Sequence, residues 1–400
     1  MVRRGLKQGA RRWTKIHPGD PVGKLIAGFS GGADTYLTVN EFYGWRHVRQ
    51  LKSLRACYVD VDGTDNLDEA LDALRTARLP APSFVVFSRR GMHLYWLLQP
   101  TPSMALPVWQ RVQDTLIKSL ASIKADPAAR DCVRVLRLVG TTNAKNGQEV
   151  QGLVLTDAVW TLHELADEVL GAREPKRGKV HDLAAAGARK GQQSRKWTGS
   201  IYDWWHLVYK DMCAITDHHW FGGVPKGHRD QVLFVMSVAL SWFTHPDSLH
   251  DEILATAKTF TPTLEEREVV ALMAPVLKRA KMAVAGERLA YNGKLYDPRY
   301  NYSAKGLRDY LGDVIPAELH NQLRALCPAE VIVARKKDRN ASRDRVAEGR
   351  YKQDRAAYLQ THSKDVMQRA ATARLLKAQN KTVGENRGNG KNSTLSITDI

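Results

Sequence analysis

Cys57-Tyr58-Val59-Asp60-Val61-Asp62-Gly63-Thr64 is a short apolar run of β character that ends in two aspartates one residue apart. In a strand, residues i and i+2 point to the same face. The stretch therefore predicts Asp60 and Asp62 side by side at a strand end. Like charges held that close repel each other. A fold keeps such a pair either to bind a divalent cation or to share a proton. Oxygen-only donors suit Mg²⁺ or Mn²⁺, so the first expectation is a metal-dependent site for phosphate chemistry.

Alone, the string is shared. D-x-D-G-T after an apolar strand also opens haloacid-dehalogenase-type phosphatases, with the first Asp as nucleophile, and sugar-nucleotide transferases use D-x-D too. Two solvated acids entering a Gly-Thr turn look the same. The surrounding chain has to decide.

Around this strand the pattern is α+β. Leu67–Ala77 has helical spacing and is stopped by Leu79-Pro80-Ala81-Pro82. Phe84–Phe87 and His93–Leu98 read as a hairpin across Arg89-Arg90-Gly91. Met104–Ile123 reads as a long amphipathic helix, Val133–Val139 as a strand, Gln151–Leu155 as a closing strand and Thr161–Leu170 as a helix. These define a domain over 1–172. Residues 173–200 are rich in Lys, Arg, Gly and Ala and read as a basic linker. An all-helical module is expected over 201–290, with its clearest periods at Asp230–Phe243, Ser248–Phe260 and Glu265–Ala283. A basic, partly helical region follows over 291–381. A Gly/Asn/Ser-rich tail, expected to be disordered, covers 382–400.

The chain has 400 residues with a net charge of +18 and a pI near 9.7. Such an excess points to a polyanionic partner, most often nucleic acid. Between Val331 and Lys381 there are 14 Lys/Arg against 5 Asp/Glu, half of the whole surplus. Within it, Arg335, Lys336, Lys337, Arg339, Arg343 and Arg345 are candidate DNA contacts. Ser303–Leu326, with Gly312 at a turn, reads either as two packed helices or as a helix–turn–helix.

Four scattered cysteines without a C-x-x-C pair argue against a zinc ribbon and fit a reducing cytoplasm. His218, His219, His228 and Cys213 match no standard zinc spacing. Trp197, Trp204, Trp205, Trp220 and Trp242 read as core of the helical module rather than as base-stacking surfaces. No run approaches a membrane span. No G-x-x-x-x-G-K-[ST] occurs: Gly19 to Lys24 has the wrong spacing and Leu25 follows. Any helicase work would then fall to a separate protein.

Two further segments carry chemistry. Ser88-Arg89-Arg90-Gly91-Met92-His93 sets a histidine at a strand start after a basic glycine turn, where it can donate to a phosphate. Asp126-Pro127-Ala128-Ala129-Arg130-Asp131 leads through Arg137 to Gly140-Thr141-Thr142-Asn143-Ala144-Lys145. It offers a further carboxylate for metal and two cations for a triphosphate.

D-x-D on a strand, then S-x-x-G-x-H, then D…R-L-x-G-T-x-N-x-K resembles the ordered signature of archaeo-eukaryotic-type primases, and most closely the small replication primases of plasmids and mobile elements. The resemblance covers residues 36–160. The helical module, including Gly227-His228-Arg229-Asp230, is more loosely similar to the one that often follows such domains. The resemblance implies an RRM-like mixed-sheet catalytic domain. It implies Asp60, Asp62 and Asp131 as metal-binding acids, with Asp126 near enough to compete for the third place. It implies His93, Arg137 and Lys145 at the triphosphate, and Ser88 and Asn143 positioning the nucleotide. Arg90 departs from the small residues common in that turn. Two divalent ions, Mg²⁺ or Mn²⁺, NTP or dNTP, and a single-stranded DNA template would be the cofactors and partners. The expected activity is primer synthesis. A replication initiator that binds DNA without catalysis is the alternative, and the phosphatase reading leaves His93 and the Gly-Thr-Thr-Asn segment unexplained.

Overall fold

The computed structural model describes residues 2–5, 11–17, 19–29, 32–88, 91–171, 200–221, 223–346, 348–350, 352–353, 356–357 and 360. The predicted linker as far as residue 199, with Trp197, and the turn residues Arg89 and Arg90 lie outside the described residues. So does the C-terminal tail. The chain forms two units, Met1–Cys327 and Pro328–Ile400.

The first unit is built on two sheets whose named strands all pair antiparallel. Strands β1 (Val2–Gly5), β2 (Arg11–Thr14), β3 (Thr35–Thr38) and β8 (Val135–Arg137) form one, in the order β2-β1-β3-β8, with a short helix α1 (Val22–Ala27) between β2 and β3. The second contains β4 (Glu41–Phe42), β5 (Leu51–Asp62), β6 (Phe84–Phe87), β7 (Gly91–Pro102) and β11 (Gln151–Val154), in the order β11-β6-β7-β5-β4. A small ladder, β9 (Thr142–Asn143) with β10 (Gln148–Glu149), holds the Gly-Thr-Thr-Asn loop. Among the described residues, parallel pairing is confined to the isolated bridges Ala33–Thr142 and Leu98–Trp160.

Alternation explains the packing. On one face of the second sheet Cys57, Val59, Val61, Met92, Leu94 and Trp96 are all fully buried. Helix α2 (Leu67–Thr76), α3 (Leu106–Ser119) and α4 (Leu162–Leu170) supply the covering apolar layer, with α3 along β5 and α4 along α3 and β7. Asn66 caps α2 and a Thr161/Glu164 capping box starts α4, satisfying N–H groups that the first turn leaves open. The opposite face lines a cleft of about 560 Å³ between the two sheets, walled by Leu37, Leu136, Arg137, Val86, Tyr95 and Leu97 among others.

The helical module comprises α5 (Ile201–His219), α6 (Arg229–Leu240), α7 (Pro246–Phe260) and α8 (Glu266–Val284). Trp205 and Trp242 are buried within it. It belongs to the same compact unit as the sheets, joined through α3 and α5. A hairpin, β12 (Leu289–Tyr291) and β13 (Lys294–Tyr296), follows, turned by Asn292 and Gly293, both at positive φ. This is the Asn-Gly hairpin signal, at the head of the stretch expected to be basic and partly helical.

Two expectations are corrected. The long helix over 104–123 breaks into α3 with short 3₁₀ turns at either end, stopping at Lys124 in the left-handed region (φ 60°). The helix pair over 303–326 does not form. Helix α9 (Ala304–Leu311) is capped by Ser303 and ends at Gly312 as read, but 3₁₀ turns at Gly312–Val314 and Ala317–Leu319 follow. Asp211 of α5 then accepts the backbone N–H groups of Arg324, Ala325 and Leu326, which fixes that segment against the bundle as a loop. A helix–turn–helix is therefore absent there. In the second unit, residues 329–346 are helical and the basic side chains at 335–345 are largely exposed.

Candidate active site at the end of strand β5

Asp60 and Asp62 lie at the C-terminal end of β5, and the register places Asp60 opposite His93 and Asp62 opposite Gly91 of β7. His93 is in turn opposite Val86 of β6. Facing residues share a sheet face, so Asp60 and His93 stand on the same face of the sheet as Val86, Tyr95 and Leu97. Gly91 permits the crossing: a Cβ there would lie 2.0 Å from the Val61 carbonyl oxygen. The glycine of the S-x-x-G-x-H string is thus what lets β7 run against the acidic pair.

Asp60 carries the signature of a charge without a partner. Burial, then Asp62, then Asp126 push its carboxyl up to about 7, while Arg134 and Arg137 pull the other way. The nearest cationic-type group is His93 Nε2 at 3.5 Å, too far for a good hydrogen bond. Burial, and then Arg137 and Arg134, lower His93 to about 3. The imidazole is therefore neutral at neutral pH, and its buried Nδ1 has no hydrogen-bond partner among the described residues.

The basic flank is held from several elements. Arg137 on β8 bonds Asp34 at 2.8 Å and lies over the Tyr36 ring. Asp34, not singled out by the sequence reading, also accepts the Ala144 N–H. Asn143 donates to the Ser88 carbonyl and accepts the Lys145 N–H. Ser88 itself bonds the Gly91 carbonyl. Ser88 and Asn143 thus tie the hairpin turn to the Gly-Thr-Thr-Asn loop and shape the site's wall. Lys145 is exposed beside them.

The two candidates for a third acid, Asp131 and Asp126, are placed differently. Asp131, expected beside the pair, is fully buried; its carboxylate faces Arg134, Arg46 and the His245 backbone without a close hydrogen bond, and desolvation raises its pKa. It is not among the main charges acting on Asp60. Asp126 is the acid whose charge acts on Asp60, and its backbone N–H donates to the Asp60 carbonyl at 2.6 Å. Asp126 in turn bonds Arg134 at 3.2 Å, so Arg134 is a further residue of the site that the sequence reading left unassigned.

The donor set fits a hard cation in part. Asp60 and Asp62 offer oxygen ligands at a strand end, and Asp60 lacks any described protein donor at bonding distance. Among the described residues no three His, Cys, Asp or Glu side chains converge closely enough to close a metal site alone. That pattern suits Mg²⁺, which takes one or two carboxylates and keeps water and substrate phosphate as its other ligands. The histidines of the helical module form no such group either: Trp220 stacks on His228, His219 packs against Trp220 and burial pushes the Cys213 thiol up to about 11. Asp313, a poor candidate for the downstream acid of a phosphatase because it follows a helix with Pro316 close behind, sits by His228 and is not among the main charges acting on Asp60. No described helix is long and apolar enough to cross a membrane.

No family model matches the chain. A replication protein of Clostridium perfringens is 29% identical over 250 residues, covering 59% of this chain. The chain matches 57% of that relative's length. Among solved structures, the AEP domain of the cyanophage S-2L primase-polymerase aligns over 42% of this chain and 87% of its own, at 22% identity and a TM-score of 0.34. The catalytic domain of primase RepB′, solved with initiator DNA, aligns over 48% and 89%, at 16% identity and a TM-score of 0.29. The chain is an α+β protein similar in sequence to a replication protein, and its structural neighbours are primase and primase-polymerase domains.

Proposed function

We propose that the chain is a DNA-dependent primase, a nucleotidyltransferase that assembles short primers on single-stranded DNA during replication of a plasmid, phage or other mobile element. The observation that carries this reading is the Asp60–Asp62 pair in register with a neutral, buried His93 and flanked by Arg134 and Arg137. Divalent ions bound there would activate a 3′-hydroxyl and stabilise the charge on the leaving pyrophosphate. Asp60 and Asp62 would hold them, since like charges of this closeness are relieved by a cation. His93, neutral, would donate one N–H to a phosphate oxygen without adding charge. Arg137, kept in place by Asp34, would neutralise phosphate charge, and Lys145 would do so from the loop. Ser88 and Asn143 keep the two loops at fixed spacing. In the second unit, Arg335, Lys336, Lys337, Arg339, Arg343 and Arg345 would contact DNA phosphates. A separate helicase would open the duplex.

Primer synthesis tests this reading directly. Labelled NTPs or dNTPs on single-stranded DNA with Mg²⁺ or Mn²⁺ should give short products from the wild-type chain and none from Asp60→Ala or Asp62→Ala. Salt-sensitive DNA binding without products in any of the three proteins would instead establish the non-catalytic initiator reading.

A further inference from the structure

Residues 126–134 form no regular secondary structure, yet five consecutive carbonyls in them are each taken by a side chain from elsewhere. Gln113 Nε2 donates to Ala129 O at 3.1 Å and Gln110 Nε2 to Arg130 O at 3.0 Å. Tyr58 Oη donates to Asp131 O at 2.6 Å, Asn40 Nδ2 to Cys132 O at 3.0 Å and Arg46 Nη1 to Val133 O at 3.0 Å. The segment begins with Asp126 against Asp60 and ends with Arg134 on Asp126. It is the frame that brings an acid and an arginine to the acidic pair.

The helical module meets this frame at Arg130 as well as at His245. Arg130 Nη2 bonds Asp114 Oδ2 of α3 at 2.8 Å and the Tyr202 hydroxyl of α5 at 3.1 Å, while that hydroxyl donates to the same Asp114 oxygen. Arg130 and Asp114 are mostly buried, and Tyr202 packs against Trp242 and Phe243. Three groups satisfy one another across the joint between the sheets and the bundle.

We infer that Tyr202 is a positioning residue: through Asp114 and Arg130 it fixes the 126–134 segment, so that the helical module sets the geometry of Asp126 and Arg134 around the Asp60–Asp62 pair. Residues that orient ligands from behind change metal affinity by about 10- to 100-fold when removed. This inference rests on the metal reading of the pair given above.

The test uses the full chain and Mn²⁺ alone, titrated by electron paramagnetic resonance, with nucleotide KM and kcat measured in parallel. Tyr202→Phe removes only the hydroxyl and keeps the ring packing. It should weaken Mn²⁺ binding by about tenfold and raise KM more than it lowers kcat, with the thermal midpoint close to wild type. Arg130→Ala should do the same from the other end of the link, and the double variant should be no worse than the stronger single one, because coupled residues fail to add. Mn²⁺ affinity and KM unchanged in both single variants, or full additivity in the double variant, would overturn the positioning role. Failure of the wild-type chain to bind Mn²⁺, or equal binding by Asp60→Asn, would overturn the metal reading itself and is told apart by those two controls.

Discussion

Asp211 is buried and Asp60 partly buried, and desolvation raises the pKa of both, yet they stand in opposite relations to their own chain. Asp211, on α5, accepts three consecutive backbone N–H groups from Arg324, Ala325 and Leu326. Its cost of burial is offset by donors the fold supplies, and in return it anchors the loop that closes the bundle. Asp60 has no such donors. Its neighbours are two more acids and a neutral histidine, with Arg134 and Arg137 acting the other way without a hydrogen bond to it. A buried charge that the protein itself satisfies is structural; one surrounded by like charge is stabilised only by something that arrives. The bundle uses its acid for architecture; on the function proposed above, the strand end holds its acid for a ligand.

That contrast can be broken by experiment. The largest effect should fall on synthesis: Asp60→Ala or Asp62→Ala should lower the rate by about 10³-fold or more, since ion-mediated charge stabilisation is worth several kcal/mol, with circular dichroism unchanged. A folded variant that still makes primers would erase the distinction. In the bundle, Asp211→Ala should leave three N–H groups without acceptors and cost about 3 kcal/mol of stability, read as a lower unfolding midpoint.

A pH series sharpens the bundle's side. Burial, and then Lys210, depress His206 to about 4 from 6.5. The unfolded chain therefore binds that proton more tightly. Stability should be intact above pH 6.5 and fall as pH drops toward 4, by at most about 3 kcal/mol from this residue. His206→Phe should flatten that slope in urea titrations at pH 5 and pH 7.5. The smallest effect is the most diagnostic. Asp60→Asn should raise the unfolding midpoint of the metal-free chain by an amount worth about 1 kcal/mol, because it removes like-charge repulsion, whereas Asp211→Asn should lower it.

What the sequence disclosed follows the range of the forces involved. The Asp60–Asp62 strand and the hairpin of β6 and β7 were legible because alternation and a single glycine specify them locally. Ser303 and Gly312 likewise announced the ends of α9. The choice between Asp126 and Asp131 was not legible, because both lie in one short run and their fates are decided from far away. Asp126 is drawn to the Asp60 carbonyl, while Asn40, Arg46, Tyr58, Gln110 and Gln113 capture the carbonyls that follow. The same capture delays the start of the strand read over Val133–Val139, which runs Val135–Arg137. The second helix after Gly312 failed for a similar reason: its N–H groups belong to Asp211, more than a hundred residues earlier. Asn292-Gly293 was a local signal and could have been read.

The five captured carbonyls also bear on the order of assembly. Backbone ladders can zip from a local nucleus, but a segment fixed by side chains from β5, α3 and the loops around Asn40 and Arg46 has nothing to hold it until all of those have met. Its contacts should be absent from the folding transition state, giving φ-values near zero, so that altering Gln110 or Asn40 speeds unfolding and leaves refolding almost untouched. The charge of Asp126 would then reach Asp60 in the last step of folding, like a keystone lowered after the arch is standing.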